Sequence, residues 1–180
     1  MNIQIISSTD RPNSNSLRFS KYLKQAYTNI DVDAGIISLE QFPLADVAGG
    51  VYGNEPDSIL NFRAPVLDAD GLIFVIPEYN GSFPGILKML IDYLPYPHGL
   101  EMKPVCFVGI ATGAFGALRA VEQLQMILGY RNVLAFPERV FIQRFKDEFD
   151  EQIGIKDPVK RALLENQIAH FTEFVKKNKS

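Results

Sequence analysis

Three polar turns hold the residues through which this chain could do chemistry. Residues 7–16 read SSTDRPNSNS, with four serines, a threonine, an arginine and two asparagines. Hydroxyl, amide and guanidinium donors of this kind suit a phosphate monoester when they open a helix, whose first N–H groups are free and partly positive. Arg11 adds a fork that fits two phosphate oxygens. The other reading of the same turn is that Ser14 or Asn15 caps a helix and nothing more. The turn has no Gly-Lys-Ser/Thr and no glycine at all, so it is neither a triphosphate loop nor a dinucleotide fingerprint. Residues 77–84 read PEYNGSFP. Pro77 stiffens the end of an apolar run, and Gly81 permits positive φ or close approach of a ligand to backbone. Glu78, Tyr79 and Asn80 lie between them, so the turn offers amides and an aromatic ring to a flat ligand. The alternative is a plain turn at Asn80-Gly81 with Tyr79 on the surface. Residues 111–116, ATGAFG, expose amides around Thr112, Gly113 and Gly116 beside another helix start. Such donors suit a ring bearing carbonyl oxygens and developing negative charge, although an ordinary glycine-bearing connection looks the same.

The elements that must position these turns alternate along the chain. Apolar runs at residues 3–6, 34–39, 71–76, 104–110 and 132–136 predict five strands. Phe19, Tyr22, Leu23, Ala26 and Tyr27 recur at helical spacing after the first strand. Pro56-Asp57-Ser58 opens a helix to about Leu67. Ile86, Leu87, Leu90, Ile91 and Leu94 stripe a third helix, with Pro84 at its first turn. Ala117, Ala120, Val121, Leu124 and Leu128 stripe a fourth that Gly129 is expected to end. A fifth starts near Pro158 and carries Leu164, Ile168, Phe171 and Val175 on one face. Residues 41–54 and 139–155 give no clear pattern. Strict alternation predicts an α/β fold with three layers, a five-stranded parallel sheet covered by helices on both faces. Right-handed crossovers and the flavodoxin-like order 2-1-3-4-5 bring the three turns to one crevice at the carboxyl ends of the strands. One phosphate cradle beside two neutral turns for a planar group matches flavin mononucleotide, FMN.

The bulk numbers agree with one domain over residues 1–180: the length can bury a sizeable core, and 47% of residues are apolar. A net charge of −3 argues against nucleic acid. No apolar run approaches a membrane span, no signal peptide is visible at the N-terminus, and Cys106 is the only cysteine. Together these features predict a cytoplasmic protein. His98 and His170 are far apart and no acids cluster with them, so no metal site is expected. Cys106 reads as buried filler, and Phe141, Phe145 and Phe149 read either as an interface stripe or as core.

PEYNGSFPGILKMLIDYL, residues 77–94, resembles the signature of the NADPH-dependent FMN reductase family, which reads Pro-Glu-Tyr-Asn-Gly-Ser, Pro-Gly and a Leu-Lys-x-x-x-Asp helix. The first turn is similar to that family's Gly-Ser-x-Arg-x-x-Ser-x-Asn loop, with one extra residue before Arg11 and Ser7 where glycine is common. In the third turn and its helix, Arg119, Ala120 and Leu124 fit an Arg-Ala-x-x-x-Leu pattern, with Ala114-Phe115 where smaller residues are common. The resemblance covers roughly residues 1–137. It implies a flavodoxin-like fold, FMN bound without a covalent link, hydride from NADPH or NADH, a small-molecule acceptor such as flavin or quinone, and a homodimer or homotetramer. Ser8, Arg11, Ser14, Asn15 and Ser16 would sit at the phosphate. Pro77, Glu78, Tyr79, Asn80 and Gly81 would meet the ring and ribityl side, and Thr112, Gly113 and Gly116 the other edge. Hydride transfer then needs no acid or base from the protein, and no catalytic residue is assigned. Two other readings share the fold: a flavodoxin-like electron carrier, which usually has a ring-stacking Trp that this chain lacks, and a flavin-fold binding module without activity.

Overall fold

Leu72, Phe74 and Ile76 face one side of their strand, and Ile73 and Val75 face the other, yet all five are buried. A strand apolar on both faces must lie inside a sheet with helices above and below. The computed structural model, which describes residues 1–179, has that arrangement. In chain order the elements are β1 (Asn2–Ser7), α1 (Asn15–Thr28), β2 (Asp33–Ser38), α2 (Asp57–Asp68), β3 (Gly71–Pro77), α3 (Gly85–Asp92), β4 (Pro104–Ile110), α4 (Leu118–Tyr130) and β5 (Leu134–Ile142). A one-turn α5 (Phe145–Glu148), a short ribbon of β6 (Phe149–Asp150) and β7 (Gly154–Ile155), and α6 (Pro158–Asn178) complete it. The main sheet is parallel in the order β2-β1-β3-β4-β5, with Ile5 opposite Ile36 and Ile73, and Phe74 opposite Phe107.

The sheet divides the core in two. Ile6, Phe74 and Ile76 pack with Val66, Leu87, Leu90 and Leu124 under α2, α3 and α4. Ile5, Ile73 and Val108 pack with Phe19, Leu23, Ile168 and Phe171 under α1 and α6. Cys106 belongs to the second layer, where burial pushes its thiol far up and keeps it inert.

Three local expectations are corrected. The fifth strand is not residues 132–136 but Leu134–Ile142. Pro137, Glu138 and Arg139 interrupt its apolar run, but it lies at the sheet edge, where proline and exposed polar residues are tolerated. The extra length is absorbed where the register jumps from Val105↔Ala135 to Phe107↔Arg139. Gly129 does not end α4; the helix runs through Tyr130, and the chain turns at Asn132, which takes φ 56°. Pro84 occupies the N-cap of α3 rather than its first turn. Residues 139–155 lack regular periodicity because they form a strand end, a single helical turn and a ribbon. Phe145 and Phe149 are core, packed edge-on to Phe19 at 6.0 and 5.4 Å, and Phe141 is half-buried against the other layer. Among the described residues no helix is long and apolar enough to cross a membrane, and no group of His, Cys, Asp or Glu is placed to hold a metal.

Candidate functional site

The first turn leaves β1 with Ser7, Ser8 and Thr9 buried. The Ser8 N–H donates to the Val75 carbonyl at 3.2 Å, so the turn stays attached to β3 before it rises. Asn13 takes φ 52°, which swings the chain into α1. Ser14 then caps the helix, its Oγ accepting from the Leu17 N–H at 3.1 Å. The cap and the phosphate reading do not compete. Capping uses one donor of the first turn, and Asn15 and Ser16 still present N–H groups with no helical acceptor. Beside them the Ser16 hydroxyl is buried with no hydrogen-bond partner among the described residues.

The second turn is a miniature hairpin. Tyr79 and Ser82 exchange backbone bonds of 2.7 and 3.0 Å, and Asn80 and Gly81 at its tip take φ 52° and 77°. Positive φ at both central residues is the type I′ turn that Asn-Gly favours. The Tyr79 hydroxyl pairs with Thr9 Oγ1 at 2.8 Å, and the Arg11 guanidinium lies 5.1 Å from the centre of the Tyr79 ring. The first and second turns are therefore fastened to each other. At the root of the hairpin, Glu78 Oε1 faces Arg119 Nη1 at 3.8 Å, while Glu78 Oε2 is buried and has no partner among the described residues.

The third turn is tied to the end of β5. Ala111 N–H donates to Ile142, Phe145 N–H to Ala111 and Arg144 N–H to Gly113, at 3.0, 3.0 and 3.1 Å. Gly116, at φ 59°, packs against β5; a methyl there would lie 3.0 Å from Phe141 Cβ. A methyl on Gly109 would run into the Gly116 carbonyl and the Phe141 ring.

Between the three turns lies a cavity of about 320 Å³. Arg11, Ser14, Asn15, Ser16, Pro77, Glu78, Tyr79 and Thr112 line it, as one group. Ser8 does not: it is buried below, its hydroxyl donating to the Ile6 carbonyl at 3.2 Å. Asn80 and Gly81 form the hairpin tip outside the enclosed part, and Gly113 is an exposed shelf beyond Thr112. Gly116 sits behind that shelf. Asn13, Ile110, Ala111 and Phe145, not named individually as site residues from the sequence, also line the cavity, and Thr9, counted only among the donors of the first turn, holds Tyr79. Asn13 was legible as one more donor in the first turn. Phe145 was not, because it arrives from a segment without a pattern.

The donors fit a phosphate ester: Arg11, Asn15 and Ser16 line the cavity together, with free N–H groups at the start of α1 and a Ser16 hydroxyl that has no partner among the described residues. A cavity of this size lies within the range of small-ligand and cofactor sites, and the residues from Thr112 to Phe115 beside it are exposed. A parallel sheet with a glycine-free anion cradle at its switch point defines a flavodoxin-like, mononucleotide-binding α/β protein.

Residues 1–147 match the family described as NADPH-dependent FMN reductase, and the chain belongs to that family. Membership makes it an oxidoreductase that uses FMN and NAD(P)H. The match runs into α5, ten residues past Pro137. The chain is 35% identical over 136 residues to an NAD(P)H-dependent FMN reductase of Pseudomonas aeruginosa, covering 69% of this chain and 73% of that one. It is 28% identical over 145 residues to a 2-hydroxy-1,4-benzoquinone reductase of a Burkholderia species, covering 75% and 79%. Among solved structures, FerB, a flavoenzyme NAD(P)H:(acceptor) oxidoreductase from Paracoccus denitrificans, superposes with a TM-score of 0.84 over 99% of both chains at 21% identity, which is a likeness of fold.

Proposed function

We propose that this chain binds FMN in the cavity between the three turns and carries reducing equivalents from NADPH or NADH to a flavin, a quinone or a similar small acceptor. The observation that carries the reading is the buried, unpartnered Ser16 hydroxyl beside the free N–H groups that open α1. A phosphate there converts orphaned donors into charge-assisted bonds. Arg11, Ser14, Asn15 and Ser16 hold the phosphate, and Ser8 supports that turn from beneath. Pro77, Glu78, Tyr79, Asn80 and Gly81 form the wall on the ring and ribityl side. Thr112 and Gly113 offer amides to the opposite edge of the ring, with Gly116 setting their height from behind.

FMN, when bound, supplies the redox chemistry, taking hydride from the nicotinamide and releasing electrons to the acceptor. The protein binds and orients. Thr9 and Arg11 hold the Tyr79 ring as a fixed side of the cavity. The exposed amides near Thr112 stabilise negative charge that develops at the ring edge. No side chain is needed as acid or base, and donor and acceptor take turns at the open side.

Tyr96, Met126 and Tyr130 form an exposed apolar surface beside α3 and α4, and the Tyr96 and Tyr130 rings stack at 5.8 Å. This surface supports a homodimer, or a homotetramer built from such pairs. A buried lone cysteine supports a cytoplasmic location.

The test is the visible spectrum of the purified protein with FMN, followed by anaerobic titration with NADPH and with NADH. The expected result is a bound yellow chromophore that either nucleotide bleaches without a second protein. A bound flavin that neither nucleotide reduces would make the chain an electron carrier. A protein that stays colourless with added FMN would make it a binding module.

A further inference from the structure

The hairpin of Tyr79–Ser82 projects beyond the end of β3 with only two backbone bonds of its own. A two-stranded ribbon so short does not hold an orientation by itself. Thr9 fastens it on the side of the first turn. On the opposite side, α4 reaches it twice. Ser82 Oγ donates to Gln123 Oε1 at 2.5 Å, and Gln123 Nε2 donates to the Gly81 carbonyl at 3.3 Å. One amide side chain thus grips adjacent residues, with a donor on one and an acceptor on the other, and so fixes the rotation of the hairpin as well as its distance. One helical turn earlier, Arg119 faces Glu78 at 3.8 Å and lies 5.4 Å from the centre of the Phe115 ring. Residues four apart share a helix face, so Arg119 and Gln123 meet the root and the tip of the same turn. Glu78 keeps one buried oxygen unpartnered among the described residues, and Arg119 is the cation facing its other oxygen.

We propose that Gln123 and Arg119 are positioning residues for the flavin site: α4 braces the hairpin at two points, and Arg119 offsets the Glu78 charge beside the ring. This inference rests on the flavin reading above. Both side chains are exposed and contribute to neither core layer, so their removal acts on the hairpin rather than on folding. Without Gln123 the hairpin swings about Pro77 and Phe83, and the cavity wall loses its set position. Without Arg119 the Glu78 carboxylate is left uncompensated, which disfavours electron uptake by a neighbouring ring.

The experiment measures FMN dissociation constants, melting temperatures of the FMN-free protein, and midpoint potentials of the bound flavin. Gln123→Leu, which removes both bonds of the brace, and Ser82→Ala, which removes one, are expected to weaken FMN roughly five- to tenfold. Melting of the FMN-free protein should stay within about 2 °C of the unsubstituted chain, and the double variant should be no weaker than the worse single one. Arg119→Leu is expected to shift the flavin potential negative. Arg119→Lys should largely restore it, and so should Glu78→Gln placed in the Arg119→Leu background. Unchanged FMN affinity in Gln123→Leu, with the unsubstituted chain binding FMN, overturns the brace alone. A loss of affinity matched by an equal loss of FMN-free stability shows a folding role and also overturns it. Failure of the unsubstituted chain to bind FMN overturns the flavin reading and the brace with it.

Discussion

On the proposed reading, Ser16 and Arg11 meet the same phosphate through different means. Arg11→Ala removes a charge-assisted bond and is expected to weaken FMN by about 1.5–3 kcal/mol, read by fluorescence quenching of added flavin. Ser16→Ala removes a hydroxyl that has no partner among the described residues, so the FMN-free chain should melt at the same temperature or slightly higher. Its FMN affinity should nevertheless fall by about 0.5–1.5 kcal/mol, which separates a ligand-directed hydroxyl from a structural one. Most of the site was legible at this scale because the residues are sequential within turns: eight of the thirteen residues picked from the sequence line the cavity. Gly116 packs against β5 beside the cavity. A glycine beside a helix start can mean ligand approach or close packing, and the position of Phe141 supplies a packing contact that the sequence alone does not reveal. Phe145 and Thr9 were out of reach, since their places depend on contacts across the fold.

Among the elements, α2 depends on a residue from outside it. Lys103 Nζ donates to the carbonyls of Val66, Leu67 and Ala69 at 3.2, 2.7 and 2.6 Å, closing the helix end with a positive charge. Desolvation pulls this half-buried ammonium below its usual range. Lys103→Met is expected to cost about 1–3 kcal/mol in chemical denaturation, without changing FMN affinity in the folded protein. At the other end of the chain, Asp157 caps α6 by accepting from Val159 and Lys160 N–H groups at 2.8 and 3.1 Å. The Lys160 N–H chiefly holds this carboxyl below the ordinary range. A carboxyl depressed in the folded state adds stability above its unfolded pKa and loses it as pH falls through the folded value. Asp157→Ala should therefore melt below the unsubstituted protein at neutral pH, and the gap should close in acid beneath the carboxylate range. Helices and inner strands were readable because their apolar spacing is dictated by burial. The edge strand was not, because a strand with one free side tolerates Pro137 and charge, and its true end at Ile142 is set by pairing with Ile110.

For the molecule as a whole, the strand order follows from alternation and right-handed crossover, and the sheet has that order. That order alone brings the three turns together, so the grouping of the site is legible in the sequence. A ligand held by all three must stabilise the whole domain, because each turn caps a different helix–strand pair. FMN at about a hundred times its dissociation constant should add about 2.7 kcal/mol. In a domain of this size that raises the melting temperature by roughly 5–10 °C, measurable by dye-free thermal scanning. Riboflavin, which lacks the phosphate, should give a much smaller rise.

The close contact among Gly109, Gly116 and Phe141 makes the margins of the cleft mechanically unequal. The margin built by the third turn is clamped to the sheet with no slack, and it inherits the sheet's rigidity. The opposite margin is held by polar side-chain ties, Thr9 on one side of the hairpin and Gln123 on the other. On the proposed reading, substitutions in those ties are expected to change acceptor range more readily than added bulk in the third turn. Redesign of acceptor range belongs there, and enlarging Gly109 or Gly116 would sooner break the sheet than reshape the opening.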